Sequence, residues 1–385
     1  MIYFDNAATT MVKPPEVARA VADAINSFGG VGRGAHEAAL SADMVVFSAR
    51  KKIAELLGAP DVKRVVFTCN VTEALNAVVS GLLHKGDHAV TTAASHNSVL
   101  RPLYRKVDEE DVGLSILPVA PDASIDYEEF DALFTPRTRL AVVTHSSNLT
   151  GDVYDMARMA SIAHSHGALI CVDAAQTAGE IPIDMQAEEI DILAFTGHKG
   201  LFGPQGTGGM CLAPDVELPA FKVGGSGTHS YDRAHPSFYP EHLEAGTLNG
   251  HGIAGLCAGV EHVMRVGVDN IASEVGALVS RFEEGVDGLP GVRVVGGHGG
   301  IGRTGIVALD LAGVDSATIS DVLSHEYGIC TRAGAHCAPL MHEAMGTSER
   351  GAVRFSFSHL NNADEVDEGI RAIREIAGSI QPSSA

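Results

Sequence analysis

Six short apolar runs recur along the first 213 residues, each bounded by turn residues or charges. They are RVVFT (64–68), HAVTT (88–92), RLAVVTH (139–145), ALICVDAA (168–175), DILAFT (191–196) and TGGMCLA (207–213). Their length and β-branched content read as strands. Amphipathic stretches lie between several of them, from about Thr72 to Leu83 and from about Tyr154 to His166. Strand–helix alternation of this kind predicts an α/β fold with a mostly parallel sheet and helices on its faces. Ligands of such sheets bind at the carboxyl ends of the strands. The unusual polar residues of this chain fall just after these runs.

From about Gly252 the pattern changes. A long helical stretch (253–288) precedes VRVVG (292–296), GIVALDL (305–311) and AVRFSFS (352–358), with helical patterns at 316–325 and 363–378. A chain of 385 residues exceeds one ordinary core. The reading is a large α/β domain over 14–251 and a smaller α+β domain over 252–385, with 1–13 packing near the latter. The segment GGHGGIGRTG (296–305) imitates a phosphate loop but lacks the strand–GxGxxG–helix context, so it reads as a turn. The tail QPSSA (381–385) reads as frayed.

Lys and Arg number 27 against 48 Asp and Glu, a net charge of −21. Such a surface repels nucleic acid and anionic membranes and aids solubility. The six cysteines form no CxxC pair and no zinc-type cluster, so no metal site is expected. Cys171 and Cys211 fall in apolar runs and read as strand core. No apolar run approaches the ~20 residues of a membrane span, and MIYFDNAATT is unlike a signal peptide. These features fit a reduced, cytoplasmic compartment.

Three elements carry chemistry. Lys199, flanked by His198 and Gly200, follows the strand DILAFT. A Schiff-base lysine needs a tight pocket and ready loss of its proton. Alone, Lys199 reads more readily as a surface or structural lysine. Asp173 ends the strand ALICVD, where a buried carboxylate is costly without a cation such as a pyridinium nitrogen. Its plainer reading is a helix N-cap. Asn70, Val71 and Thr72 lie between RVVFT and a helix, where free N–H groups and the dipole favour an anion. Thr72 also reads as an ordinary cap.

Taken in order, YFDNAATT (3–10), VGRGAH (31–36), VTEALNAV (71–78), SHNSVLRP (95–102), SSNLTG (146–151), VDAAQ (172–176), TGHK (196–199), LEAGTLN (243–249), RAGAHCAPLMH (332–342) and VRFSFSHLNNADEVD (353–367) resemble the class V aminotransferase family of fold-type I pyridoxal phosphate (PLP) enzymes. More narrowly, they resemble the SUF-type cysteine desulfurases and selenocysteine lyases. The resemblance implies a seven-stranded-type, mostly parallel sheet and PLP as cofactor. It implies that Lys199 is the Schiff-base lysine, Asp173 the partner of the pyridine nitrogen, and Gln176 a donor to the phenolic oxygen. His96 matches the imidazole on the ring face, also proposed as an acid/base. Thr72, Thr196 and His198 match phosphate contacts, with Asn70 and Val71 as neighbouring cofactor-binding candidates. Thr247 matches a phosphate contact donated by the other subunit, which implies a homodimer. Asn148 matches a residue near substrate and phenolic oxygen. Arg354 matches the grip on the substrate carboxylate, which a guanidinium fork suits, and Arg332 is a second substrate-binding candidate.

Cys337 separates the sub-families. A desulfurase needs a thiolate to take the substrate sulfur as a persulfide, and a nearby cation helps it. Arg332 and His336 are the candidate cations. The expected substrate is L-cysteine or L-selenocysteine, with a sulfur-acceptor protein downstream. An aminotransferase or epimerase of the same family would make Cys337 incidental. The chain departs from the family pattern at Asn70-Val71 (often Gly-Thr), Ser95 (often Glu), Ala335 (often His) and His359-Leu360-Asn361 (usually Tyr-Asn).

Overall fold

The computed structural model describes residues 1–32 and 34–379. Arg33 of VGRGAH and the tail 381–385, expected to fray, lie outside the described residues.

The chain opens with β1 (Ile2–Tyr3), α1 (Pro15–Ser27) and α2 (Glu37–Leu56). Then strands and helices alternate: β2 (Val65–Thr68), α3 (Val71–Leu82), β3 (His88–Thr92), α4 (Asn97–Glu110), β4 (Gly113–Leu117), α5 (Tyr127–Ala132), β5 (Thr138–Thr144), β6 (Asp152–Val153), α6 (Met156–Ser165), β7 (Leu169–Asp173), β8 (Ile192–Thr196) and β9 (Gly208–Leu212). Seven of these strands form one sheet in the order β2-β9-β8-β7-β5-β3-β4. It is parallel from β4 through β8, and β9 runs antiparallel to both its neighbours.

The strands read as near-continuous apolar runs because both sheet faces are covered. Along β5, Leu140 and Val142 enter one core with Val78 and Leu103 of α3 and α4. Ala141 and Val143 enter the other with Ile53, Met159 and Leu256. Cys171 is fully buried on the first face and Cys211 on the second, as strand-core residues. The glycines of β9 serve close approach. A Cβ on Gly209 would collide with the Val66 carbonyl and the Phe195 ring.

The remainder comprises α7 (Gly250–Val266), α8 (Val268–Val286), β10 (Val292–Val294), β11 (Gly302–Arg303), β12 (Ile306–Leu311), α9 (Ser316–Tyr327), β13 (Ile329–Cys330), β14 (Arg332–Gly334), α10 (Pro339–Met345), β15 (Ala352–Ser356) and α11 (Ala363–Ser379). A four-stranded antiparallel sheet, β10-β12-β15-β14, packs on an aromatic cluster of Phe282, Phe355, Phe357 and the N-terminal Phe4. β1 pairs with β13, which anchors the N-terminal segment beside that sheet.

One reading changes. The stretch 253–288 is two helices, because Gly267 at φ 89° ends α7 and caps α8. The loop 296–305 wraps the buried carboxylate of Asp152, which accepts N–H bonds from Gly297, Gly299 and Gly300 at 3.0–3.1 Å. A Cβ on Gly299 or Gly300 would strike the backbone of Ser124 or Val153, so glycines are required there.

Candidate active site

The TGHKG turn follows β8 and is tied from both sides. Gly203 N–H donates to Gly197 O at 2.7 Å, and Thr10 N–H donates to His198 O at 3.1 Å. The N-terminal DNAATT segment thus straps over the lysine. Lys199 lines a small cavity with Asn6, Thr10, Gln176, Glu180, Ser356 and His359. Enclosure, with the guanidinium of Arg354 nearby, brings its ammonium down to about 8. His198 is brought down to about 4 by burial and by Lys199.

Asp173 ends β7, buried. One carboxylate oxygen accepts Ala175 N–H at 3.0 Å, and the other lies 3.4 Å from the Ser98 hydroxyl. Burial raises its pKa, and no ion pair offsets this among the described residues. Gln176 Nε2 donates to Ala7 O at 3.2 Å.

His96 caps α4. Its Nδ1 accepts Ser98 N–H at 3.0 Å, so the proton of the neutral ring is on Nε2. The Ser98 hydroxyl lies 2.8 Å from the same Nδ1 and 3.4 Å from Asp173 Oδ2, and its single proton can go to only one of these two acceptors. Burial and the positive charge of Lys199 bring His96 down to about 4. Asn70, rather than Thr72, caps α3, its Oδ1 accepting Glu73 N–H at 3.0 Å. Val71 and Thr72 form the first turn, with amide groups free at the helix start.

The carboxylate-binding candidates meet across two strands. Arg332 of β14 stands directly opposite Arg354 of β15. Like charges in that register repel. Arg354 is fully buried, donates to Asn148 O at 2.9 Å and to Asp5 Oδ1 at 3.0 Å, and is brought down to about 10 chiefly by burial. Asp5 is the only acidic side chain paired with these two guanidiniums among the described residues. One carboxylate thus faces two guanidiniums.

Cys337 follows β14 in a loop joined to both groups. Cys337 O accepts Asn97 N–H at 2.8 Å, beside His96. Asn148 Nδ2 donates to His336 O at 2.7 Å. His336 cannot be the cation expected beside the thiol, because burial and Arg354 push it down to about 2. Of the two expected cations, Arg332 remains.

Thr247 is exposed on a separate groove with Thr68, Cys69 and Asn249, away from the Lys199 cavity. Its segment is pinned by Glu244, buried in a two-bond pair with Arg50 at 2.7 and 2.8 Å. The residues that motif reading left without a role are Asp5, Ser98 and Glu180. Asp5 stood in a quoted motif. Ser98 also stood in a quoted motif, SHNSVLRP, whereas Glu180 gave no signal, since its partner Gly305 is distant in the chain. Glu180 accepts Gly305 N–H beside the cavity, and burial raises it to about 7.

The donor set fits PLP. Thr196 Oγ1 and Asn148 Oδ1 are buried with no hydrogen-bond partner among the described residues, and such orphans are costly without a ligand. Asp173 is a buried carboxylate in no ion pair among the described residues, though the charge of Lys199 acts on it, and Lys199 is a half-buried amine inclined to lose its proton.

Residues 2–368 match the model of the class-V aminotransferase family. The chain is 33% identical over 384 residues to a probable cysteine desulfurase of Methanothermobacter thermautotrophicus, covering 98% of this chain and 95% of that protein. It is 32% identical over 381 residues to cysteine desulfurase CsdA of Escherichia coli, covering 97% and 93%. Among solved structures, the apo cysteine desulfurase of Thermococcus onnurineus superposes with a TM-score of 0.92 at 31% identity, covering 98% of this chain and 95% of that one. The CsdA structure, an S-sulfonic acid form, does so at 0.86 and 32%, covering 97% and 94%.

Proposed function

The chain belongs to the class-V aminotransferase family, and from that premise we propose that it is a PLP-dependent cysteine desulfurase, converting L-cysteine to L-alanine with the sulfur taken onto Cys337. The observation that carries this reading is the hydrogen-bonded junction of the Cys337 loop with His96 through Asn97 and with Arg354 through Asn148. These bonds seat the backbone of the Cys337 loop between the two groups, which supports a part for its thiol in the chemistry.

Lys199 and Asp173 would hold PLP at its aldehyde and ring nitrogen, with Gln176 and Asn148 near the phenolic oxygen and Thr196, His198 and the α3 N-terminus near the phosphate. When bound, PLP supplies an electrophilic carbon and an electron-accepting ring. Arg354 and Arg332 grip the substrate carboxylate and fix its orientation. The Lys199 amine, neutral near pH 8, takes the Cα proton. The Asp173 carboxylate, kept ionised by a cationic partner, holds the ring nitrogen's proton in place. His96, protonated at Nε2, exchanges a proton at that atom. The Cys337 thiolate then takes the substrate sulfur: an S–S bond forms as the substrate C–S bond breaks, leaving alanine and a persulfide.

The separation of Thr247 from the Lys199 cavity supports a homodimer in which Thr247 completes the partner's site. Six unpaired cysteines suit a reducing, cytoplasmic setting, and no described helix is long and apolar enough to cross a membrane. A sulfur-acceptor protein is the expected partner. The test is incubation of the purified protein with L-cysteine and dithiothreitol. Sulfide and alanine in equal amounts support the reading. Pyruvate, or a transaminated product without sulfide, overturns it.

A further inference from the structure

The loop that carries Cys337 is held in an unfavourable shape. His336 and Cys337 both have positive φ, 50° and 56°. A side-chain-bearing residue resists the left-handed region, and two in succession persist only where their surroundings over-determine them. Backbone bonds supply part of that constraint: Asn97 N–H to Cys337 O, Asn148 Nδ2 to His336 O, and Ala338 N–H to Ala335 O at 2.9 Å.

The rest comes from side chains. The Arg332 carbonyl can only accept, so His336 Nε2, 3.1 Å away, carries a proton. His336 is neutral, so its Nδ1 is a lone pair and must accept. The atom facing it at 3.3 Å is His342 Nε2, which therefore donates. Burial also disfavours the charged form of His342, leaving its Nδ1 as an acceptor. Its partner at 2.7 Å is the Thr347 hydroxyl, which donates. The two ring planes lie 6° from parallel with centroids 5.5 Å apart, an edge-to-edge arrangement that suits an in-plane bond. All three side chains are buried, and Thr347 N–H returns a bond to His342 O at 2.9 Å. One direction of bonding, Thr347 to His342 to His336 to Arg332 O, satisfies every atom without charge.

We infer that His342 and Thr347 are positioning residues for Cys337: their one-way chain locks the tautomer of His336 and with it the left-handed pair that aims the thiol. This rests on the role proposed above for Cys337. Neither residue touches the reacting atoms.

The test uses four variants of the holoenzyme. Thr347→Val keeps the shape and removes the donor, and Thr347→Ser restores it. His342→Phe keeps a ring without donors, and His342→Gln keeps an N–H toward His336. Loss of one buried neutral hydrogen bond corresponds to roughly a tenfold effect. Thr347→Val and His342→Phe should therefore lower kcat for sulfide release about tenfold, with KM for L-cysteine within about twofold. The serine and glutamine variants should recover to within about threefold of wild type. Amide hydrogen exchange at Asn97 and Ala338 reports the loop without reference to turnover. It should quicken in the valine and phenylalanine variants and not in the other two. Wild-type kcat and exchange in both Thr347→Val and His342→Phe would overturn the inference. So would equal losses in His342→Gln and His342→Phe, which would make ring volume the cause. Should His342→Phe fail to fold, the near-isosteric Thr347→Val decides alone. If the wild-type protein releases no sulfide, the desulfurase reading falls, while amide exchange still decides the role of the chain.

Discussion

Lys199→Met should stabilise the cofactor-free protein at neutral pH. The lysine amine is brought from 10.5 to about 8 in the folded state, mainly by burial. Its folded pKa is below its unfolded value, so below pH 8 both states bind the proton and the native state bears the whole cost of enclosing an ammonium. Between pH 8 and 10.5 the unfolded state binds more protons than the native state, and stability rises with pH as that cost is relieved. At ~1.4 kcal/mol per pKa unit the ceiling is ~3.4 kcal/mol. Because Lys199 is only half-buried and opens on a cavity, solvent screening reduces this to about 2 kcal/mol. Methionine keeps the stem and removes the charge. Urea unfolding of the cofactor-free wild type and variant, at one protein concentration and at pH 7 and 10, measures the difference. The gain should be about 2 kcal/mol at pH 7 and should mostly vanish by pH 10. A destabilised variant at pH 7, or an equal gain at both pH values, would refute the reasoning.

Other outcomes follow from the packing and the arginine pair. Glu244→Ala strands the buried Arg50 guanidinium and should cost about 3–5 kcal/mol in urea unfolding; Glu217→Ala, at the exposed end of its pair with Arg64, should cost under about 1 kcal/mol. Arg354→Lys removes the planar fork and its bond to Asn148 O, and should raise KM for L-cysteine about tenfold or more while the PLP absorbance is retained. Cys171→Ser places a hydroxyl on a fully buried strand and should cost about 1–3 kcal/mol, leaving turnover by the folded enzyme unchanged.

The strands of the main sheet were legible because each is a short apolar run buried on both faces, as in LICVD. β4 was not, since GLSIL is an edge strand of half-buried residues behind the charged end of α4. α4 was obscured by Pro102, which stands inside the helix past its first turn, where a proline usually argues against one. The break at Gly267 was hidden because VMRVGVDN keeps its apolar period on both sides of the glycine. Lys199, Asp173 and Arg354 could be picked out from their positions at strand ends or within an apolar strand, supported by motif order. Their surroundings could not. Ser98 meets Asp173 across 75 residues and Asp5 meets Arg354 across 349, and neither pairing leaves a local pattern. The neutrality of His336 was likewise invisible, because it depends on burial and on Arg354.

The most direct measurement of the central claim is the mass of the tryptic peptide 333–350, which contains Cys337, after the enzyme has reacted with L-cysteine in the absence of reductant. The account predicts that this peptide gains the mass of one sulfur, lost again on treatment with dithiothreitol. It also predicts that Cys337→Ala keeps the PLP absorbance, binds L-cysteine and releases almost no sulfide. Sulfur found on another cysteine, or release of sulfide by Cys337→Ala at the wild-type rate, would contradict it.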